Sequence, residues 1–94
     1  MLSKIPIDTD KIDQEDLDKE ILRKSLLAEL DAIDLYEQMA NMTNDENIKK
    51  VLLDVAREEK EHVGEFQEML LRRDEEQVEQ MKEGKEEVKE LTGK

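Results

Sequence analysis

The sequence contains no cysteine and no tryptophan, one tyrosine, one phenylalanine, one proline, three glycines and a single histidine. Without cysteine there is no disulfide to staple a small fold, and no thiolate for a structural zinc site. No stretch free of charged residues exceeds seven residues, which excludes a transmembrane helix. Positive charge is scarce: 15 Lys and Arg stand against 27 Asp and Glu, a net charge of −12. That balance argues against nucleic acid and anionic membrane surfaces as partners. The stretch Met1 to Asp13 lacks the apolar run of a secretory signal, so the cytoplasm is the expected location.

What remains is 94 residues, 36% apolar and 45% charged, enough for one small domain. A single core of this size supplies only about 3–5 kcal/mol of net stability. Stability is therefore expected to come partly from a partner, a metal, or both. Glu, Lys and Leu dominate, and no run alternates long enough to form a strand. The expected fold class is all-α.

Three segments follow from the pattern. Residues 1–13 read as an extended polar lead carrying Ile5, Pro6, Ile7 and Ile12. Residues 14–73 read as a helical hairpin, and 74–94 as a C-terminal helix and tail. The first helix is expected from about Gln14 to Met42. Thr43 with Glu46 fits a capping box opening the second, which runs to about Arg73. Asp74 fits the cap of a third helix. Its apolar positions (Val78, Met81, Val88, Leu91) are sparse, and Gly84 interrupts them.

The first helix carries a stripe at Leu22, Leu26, Glu29, Ile33, Tyr36 and Ala40. The second carries Ile48, Leu52, Val55, Glu59, His62, Phe66 and Leu70. Alternating steps of four and three mark two helices packing at a shallow angle. Glu58, Glu61, Glu65, Glu68, Asp54 and Arg57 fall away from the seam and read as a solvated face. Glu29, Glu59 and His62 do not: each stands where Leu or Ile would be expected. An unpaired buried carboxylate costs several kcal/mol, on the order of the whole stability of such a domain.

The spacing of Glu59 and His62, E-x-x-H, says little in a chain this rich in Glu. Its level in the hairpin says more. The turn centres near Asn44, fifteen residues after Glu29 and fifteen before Glu59. In an antiparallel hairpin both lie roughly 22 Å from the turn, at ~1.5 Å of rise per residue. Glu29, Glu59 and His62 then converge on one point of the seam. One chain offers two carboxylates and one imidazole, half the four Glu and two His of a di-iron carboxylate bundle, and two helices, half of that bundle. A two-fold dimer supplies the whole set, with the metals at its interface. Oxygen-rich ligation with imidazole suits iron or manganese better than structural zinc. A neutral imidazole donor also makes the site weaken at acid pH.

At Leu27-Ala28-Glu29-Leu30-Asp31-Ala32-Ile33-Asp34-Leu35-Tyr36 and Arg57-Glu58-Glu59-Lys60-Glu61-His62 the chain resembles the encapsulated ferritins, small ferritin-like proteins housed in encapsulin shells. The resemblance covers about Leu22 to Arg73, and the tail Glu86 to Gly93 is similar to archaeal members. It implies a hairpin protomer with a shorter C-terminal helix, dimerising into a ferritin-like four-helix bundle. It also implies a ferroxidase centre formed only between two protomers, and a ring-shaped decamer inside an encapsulin nanocompartment. Carried over, Glu29, Glu59 and His62 are the iron ligands, and Tyr36 is the tyrosine beside the centre. The activity implied is oxidation of Fe(II) to Fe(III) for iron storage, with the encapsulin shell protein as partner. Two departures stand out. The positions matching the acidic pair and Trp of an outer metal-entry site are Ala28, Asp31 and Leu35, so only Asp31 is acidic. The end Val88 to Lys94 shows no shell-docking peptide, which leaves open a free-standing chain or the excised N-terminal part of a shell fusion.

Two other readings stay open on the residues alone. One is a non-catalytic dimerising hairpin in which Glu and His fix the register. The other is a different di-iron carboxylate enzyme, such as a rubrerythrin-like peroxidase, although no Cys is present for a rubredoxin-type iron. A zinc hydrolase is disfavoured because H-E-x-x-H is absent.

Overall fold

The structure is a computed structural model and describes residues 13–94. Its described residues form three helices and no strand: α1 Gln14–Met42, α2 Glu46–Leu71 and α3 Glu75–Thr92. The all-α expectation holds. The extended lead lies outside the described residues up to Ile12.

Each helix starts on an aspartate. Asp13 accepts from the Asp16 amide, Asp45 from the amides of Asn47 and Ile48, and Asp74 from that of Gln77. A carboxylate there satisfies orphan N–H groups and complements the positive end of the helix dipole. The Thr43–Glu46 capping box is therefore corrected. Thr43 closes α1, its N–H still bonded to the Met39 carbonyl, while its hydroxyl accepts from the Asp45 amide. With a carboxylate two positions on, the charged acceptor takes the amides that Thr43 would have capped.

α2 ends at Leu71, and the chain turns tightly through Arg72 and Arg73. The amides of Arg73 and Asp74 reach back three residues, to the carbonyls of Leu70 and Leu71. α3 runs through Gly84 without a break and ends on Gly93, at φ 73° in the left-handed region that glycine enters without strain.

α1 and α2 pack as the expected antiparallel pair, but the seam differs from the two stripes in its details. Among the described residues the buried apolar side chains are Ala32, Ala40, Ala56 and Leu70, and Ala32 and Ala56 lie on neither expected stripe. Ile48, placed in the seam by periodicity, is 51% exposed. Small side chains let the helices approach closely, so the larger stripe residues stay at the edge of contact.

No large side chain among the described residues is fully buried. On α2, Ile48, Val55, His62 and Met69 repeat every seven residues and share one side of the helix. That side is open, and Ile21 and Leu22 of α1 line a shallow groove with Met69 beside it. An apolar side of this kind, left in water, is a surface that burial against another apolar surface would stabilise.

α3 buries none of its residues. It is tied to α1 at its root, where Arg23 Nη2 donates to the Asp74 carboxylate at 3.2 Å. Asp74 thus caps α3 and holds its root to α1 with the same side chain. Asp74→Ala is expected to cost about 1 kcal/mol of helix stability and to speed amide exchange along α3. Asp74→Asn, which keeps the cap and loses the charge, is expected to preserve most of that protection. Equal exchange in both variants would mean that the charge pair, not the cap, holds α3.

Candidate metal centre

Glu29 comes from the middle of α1, and Glu59 and His62 from successive turns of α2. The structure brings the three together. His62 Nδ1 lies 3.4 Å from Glu59 Oε2 and 3.5 Å from Glu29 Oε2. One donor atom from each residue falls within 4.8 Å of the others. Among the described residues, no other set of three His, Asp or Glu side chains is gathered closely enough to hold an ion.

The chemistry of the cluster is unbalanced as it stands. Glu29 is 18% exposed, and its Oε2 is buried without a hydrogen-bond partner. Such an atom loses its water, and its neighbour His62 Nδ1, at 3.5 Å, makes no hydrogen bond to it, at a cost of about 1–3 kcal/mol or more if charged. The neighbouring imidazole carries at most one proton at Nδ1, and two carboxylates face it. A divalent cation resolves the conflict, because it takes a lone pair from each donor at once. Donor atoms sharing one ion at bond lengths of ~2.1 Å stand about 3.0–3.4 Å apart, from octahedral to tetrahedral, near the 3.4 and 3.5 Å from His62 to the two carboxylates. The donor set therefore fits a cation. The imidazole is the most open of the three at 44% exposure, so the cluster meets the apolar side of the hairpin that lacks a cover.

The remaining predicted residues lie around this point. Tyr36 is half-buried on α1, seven residues from Glu29 and so roughly 10 Å along the axis. It shares the face of the cluster without joining it. Asp31 is exposed, two residues from Glu29 and about 200° around the helix. Ala28 and Leu35 offer it no second carboxylate, so Asp31→Ala is expected to change metal binding by no more than about threefold. A loss as large as that of Glu29→Ala would place Asp31 among the ligands instead.

The outer face behaves as a solvated surface. Arg57 donates to Asp54 at 2.9 Å, which holds the Asp54 carboxyl below its usual range and raises the guanidinium. Arg72 pairs with Glu68. Lys60 reaches across the hairpin to Glu37 at 2.9 Å, a link between α1 and α2 that periodicity did not single out. Ala32 and Ala56 were missed as well, although each lies three residues from a cluster carboxylate and could have been found by that spacing.

With the cluster located, similarity can be judged on the residues that carry it. The EncFtn-like family profile matches residues 5–85, a span that includes both helices of the hairpin. The chain belongs to the EncFtn-like family. It is 68% identical over 74 residues to the ferritin-like-encapsulin shell fusion protein of Pyrococcus furiosus, covering 79% of this chain and 21% of that protein. It is 39% identical over 71 residues to the encapsulin nanocompartment cargo protein EncC of Myxococcus xanthus, covering 76% of this chain and 55% of that one. The chain thus spans only part of either relative. The crystal structure of the encapsulated ferritin domain from Pyrococcus furiosus matches over 100% of this chain and 96% of that one. The TM-score is 0.86 and the sequence identity 56%. The EncFtn-like fold therefore extends through α3. Among the described residues, no helix is long and apolar enough to cross a membrane.

Proposed function

We propose that the chain is a ferroxidase whose di-iron site forms between two copies, with Fe²⁺ as the substrate. The observation that carries this reading is the buried, unpartnered Oε2 of Glu29, held beside Glu59 and His62 on the open side of the hairpin. A hairpin that only dimerised would gain more from Leu at position 29, because apolar packing costs no desolvated charge. Membership of the EncFtn-like family supports iron as the ion.

The count of donors supports a shared site. Three side chains are too few to hold two ions at the ~3.5–4 Å spacing of two-metal centres. Two chains facing each other across a two-fold axis provide Glu29, Glu59 and His62 twice, on four helices, and cover the apolar sides of both hairpins. In that arrangement the carboxylates hold and charge-balance the iron, and the neutral imidazole completes the set. Each Fe²⁺ yields one electron. Two ions held side by side yield the pair that, with two protons, converts dioxygen to hydrogen peroxide and leaves two Fe³⁺. The acidic surface draws cations toward the site. Tyr36 lies along the same seam as the tyrosine beside the centre.

A four-helix assembly has no interior in which to store a mineral, so storage requires an enclosure. The relatives named for encapsulin cargo and for a shell fusion support an encapsulin compartment as that enclosure; the ring-shaped decamer and the cytoplasm are proposed from the family resemblance alone. Aerobic addition of Fe²⁺ followed by absorbance, paired with native mass measurement with and without Fe²⁺, tests the reading. Iron oxidation without any dimer or larger species, or assembly without oxidation, would contradict it.

A further inference from the structure

We infer that Ala32 and Ala56 are positioning residues for the metal cluster: they set the gap between α1 and α2 in which one chain's Glu29, Glu59 and His62 can share an ion. The inference rests on the metal reading above and adds a cause for the geometry.

Of the buried apolar residues, two flank the cluster. Ala32 is three residues after Glu29 and 8% exposed; Ala56 is three residues before Glu59 and 1% exposed. Both lie one helical turn from their carboxylate, and both on the side nearer the interhelical turn. Ala32 is twelve residues before Asn44 and Ala56 twelve after it, so the two alanines are level, as the two glutamates are. Ala40, 1% exposed, continues the close approach toward the turn. On the other side of the cluster the residues are large: Leu22, Leu26, Phe66 and Leu70. The two buried alanines are therefore the small side chains packed between the helices beside the carboxylates.

Helix axes pack 8–10 Å apart according to the side chains at the contact. The contact between Glu29 Oε2 and His62 Nδ1, at 3.5 Å, crosses that gap. Glu29 has little freedom to follow a receding partner, because its oxygen is already buried. An added methyl group at a position 1% exposed has no room, so the helices must part or rotate. Ligand atoms on one ion cannot part with them, since the bond lengths fix their separation. The size of residues 32 and 56 then controls how well three donors from two helices meet one ion.

The test uses the full chain and Co²⁺ as the probe, whose visible absorption reports coordination geometry as well as occupancy. Circular dichroism and native mass monitor fold and assembly. Ala56→Val and Ala32→Val are expected to weaken Co²⁺ binding by about tenfold or more and to alter the Co²⁺ spectrum. Ala56→Gly is expected to bind within about twofold of the unaltered chain. Ala56→Ser, a smaller step that tolerates folding better than Val, is expected to lose two- to threefold. Val variants that remain folded and bind Co²⁺ with unchanged affinity and spectrum would overturn the inference. So would equal affinities for Gly, Ala and Ser at position 56, or a loss in the Gly variant as large as in the Val variant. If Glu59→Ala bound Co²⁺ as tightly as the unaltered chain, the metal reading itself would fall and the inference with it. A loss in Glu59→Ala together with unchanged Val variants would remove the spacing role alone.

Discussion

Replacing His62 by alanine is expected to slow aerobic Fe²⁺ oxidation by about 100-fold or more, since even outer-shell partners of metal ligands cost 10–100-fold. The imidazole is the one nitrogen donor in the chain and the most exposed member of the cluster. Its removal should leave helix content unchanged, so lost activity would not reflect lost fold. Glu29→Leu is expected to show the same loss of activity with an opposite effect on stability. It removes a buried oxygen without a partner and places an apolar side chain in an apolar arc. The metal-free variant should gain up to about 1–3 kcal/mol, seen as a higher thermal midpoint at lower activity. Opposed signs mark a residue kept for chemistry. A variant less stable and less active together would point to a structural role for Glu29, and an unchanged oxidation rate in His62→Ala would remove the ligand assignment.

Activity per chain is expected to rise with protein concentration and to level off once dimers or larger assemblies form. Without metal, a face-to-face dimer brings four carboxylates together across its axis, and like charges in that position oppose association. Two Fe²⁺ cancel the repulsion, so metal should promote assembly by linkage. At free metal a hundredfold above its dissociation constant the gain is about 2.7 kcal/mol for each site. The apolar side carrying Ile48, at 51% exposure, and Met69, at 40%, supplies the metal-independent part of the contact. Sedimentation across a dilution series, read beside initial oxidation rates, separates the possibilities. Dilute protein shown to be monomeric and oxidising Fe²⁺ at the full rate per chain would exclude a shared site. Glu59→Ala should lose activity and metal-driven assembly together.

The order of helices and their approximate ends were legible in the sequence, because caps and period are local properties. Asp74 capping α3 needed no tertiary information. The start of α2 near Glu46 was legible, but its cap falls two residues beyond Thr43, since Thr43 and Asp45 both suit a cap and only the backbone path decides which faces the free amides. The third helix was legible but looked interrupted. Gly84 weakens helix propensity without breaking the helix, since the amide and carbonyl still pair. The central anomaly, two glutamates and a histidine in an apolar seam, also came from the sequence, with equal distances from Asn44 suggesting that they meet.

What the sequence by itself determined is therefore the all-α class, the hairpin, and the three residues that interrupt its apolar face. Periodicity carries that information, because each side chain's direction around a helix follows from its number alone. Only the tertiary structure decided how the two helices touch. It buried Ala32, Ala40 and Ala56 between the helices, left Ile48 half in solvent, and set a buried oxygen of Glu29 beside an imidazole that a second carboxylate also faces. Those outcomes depend on the rotation and separation of one helix against the other. Both are set by side-chain volume across the gap, which no single helix encodes.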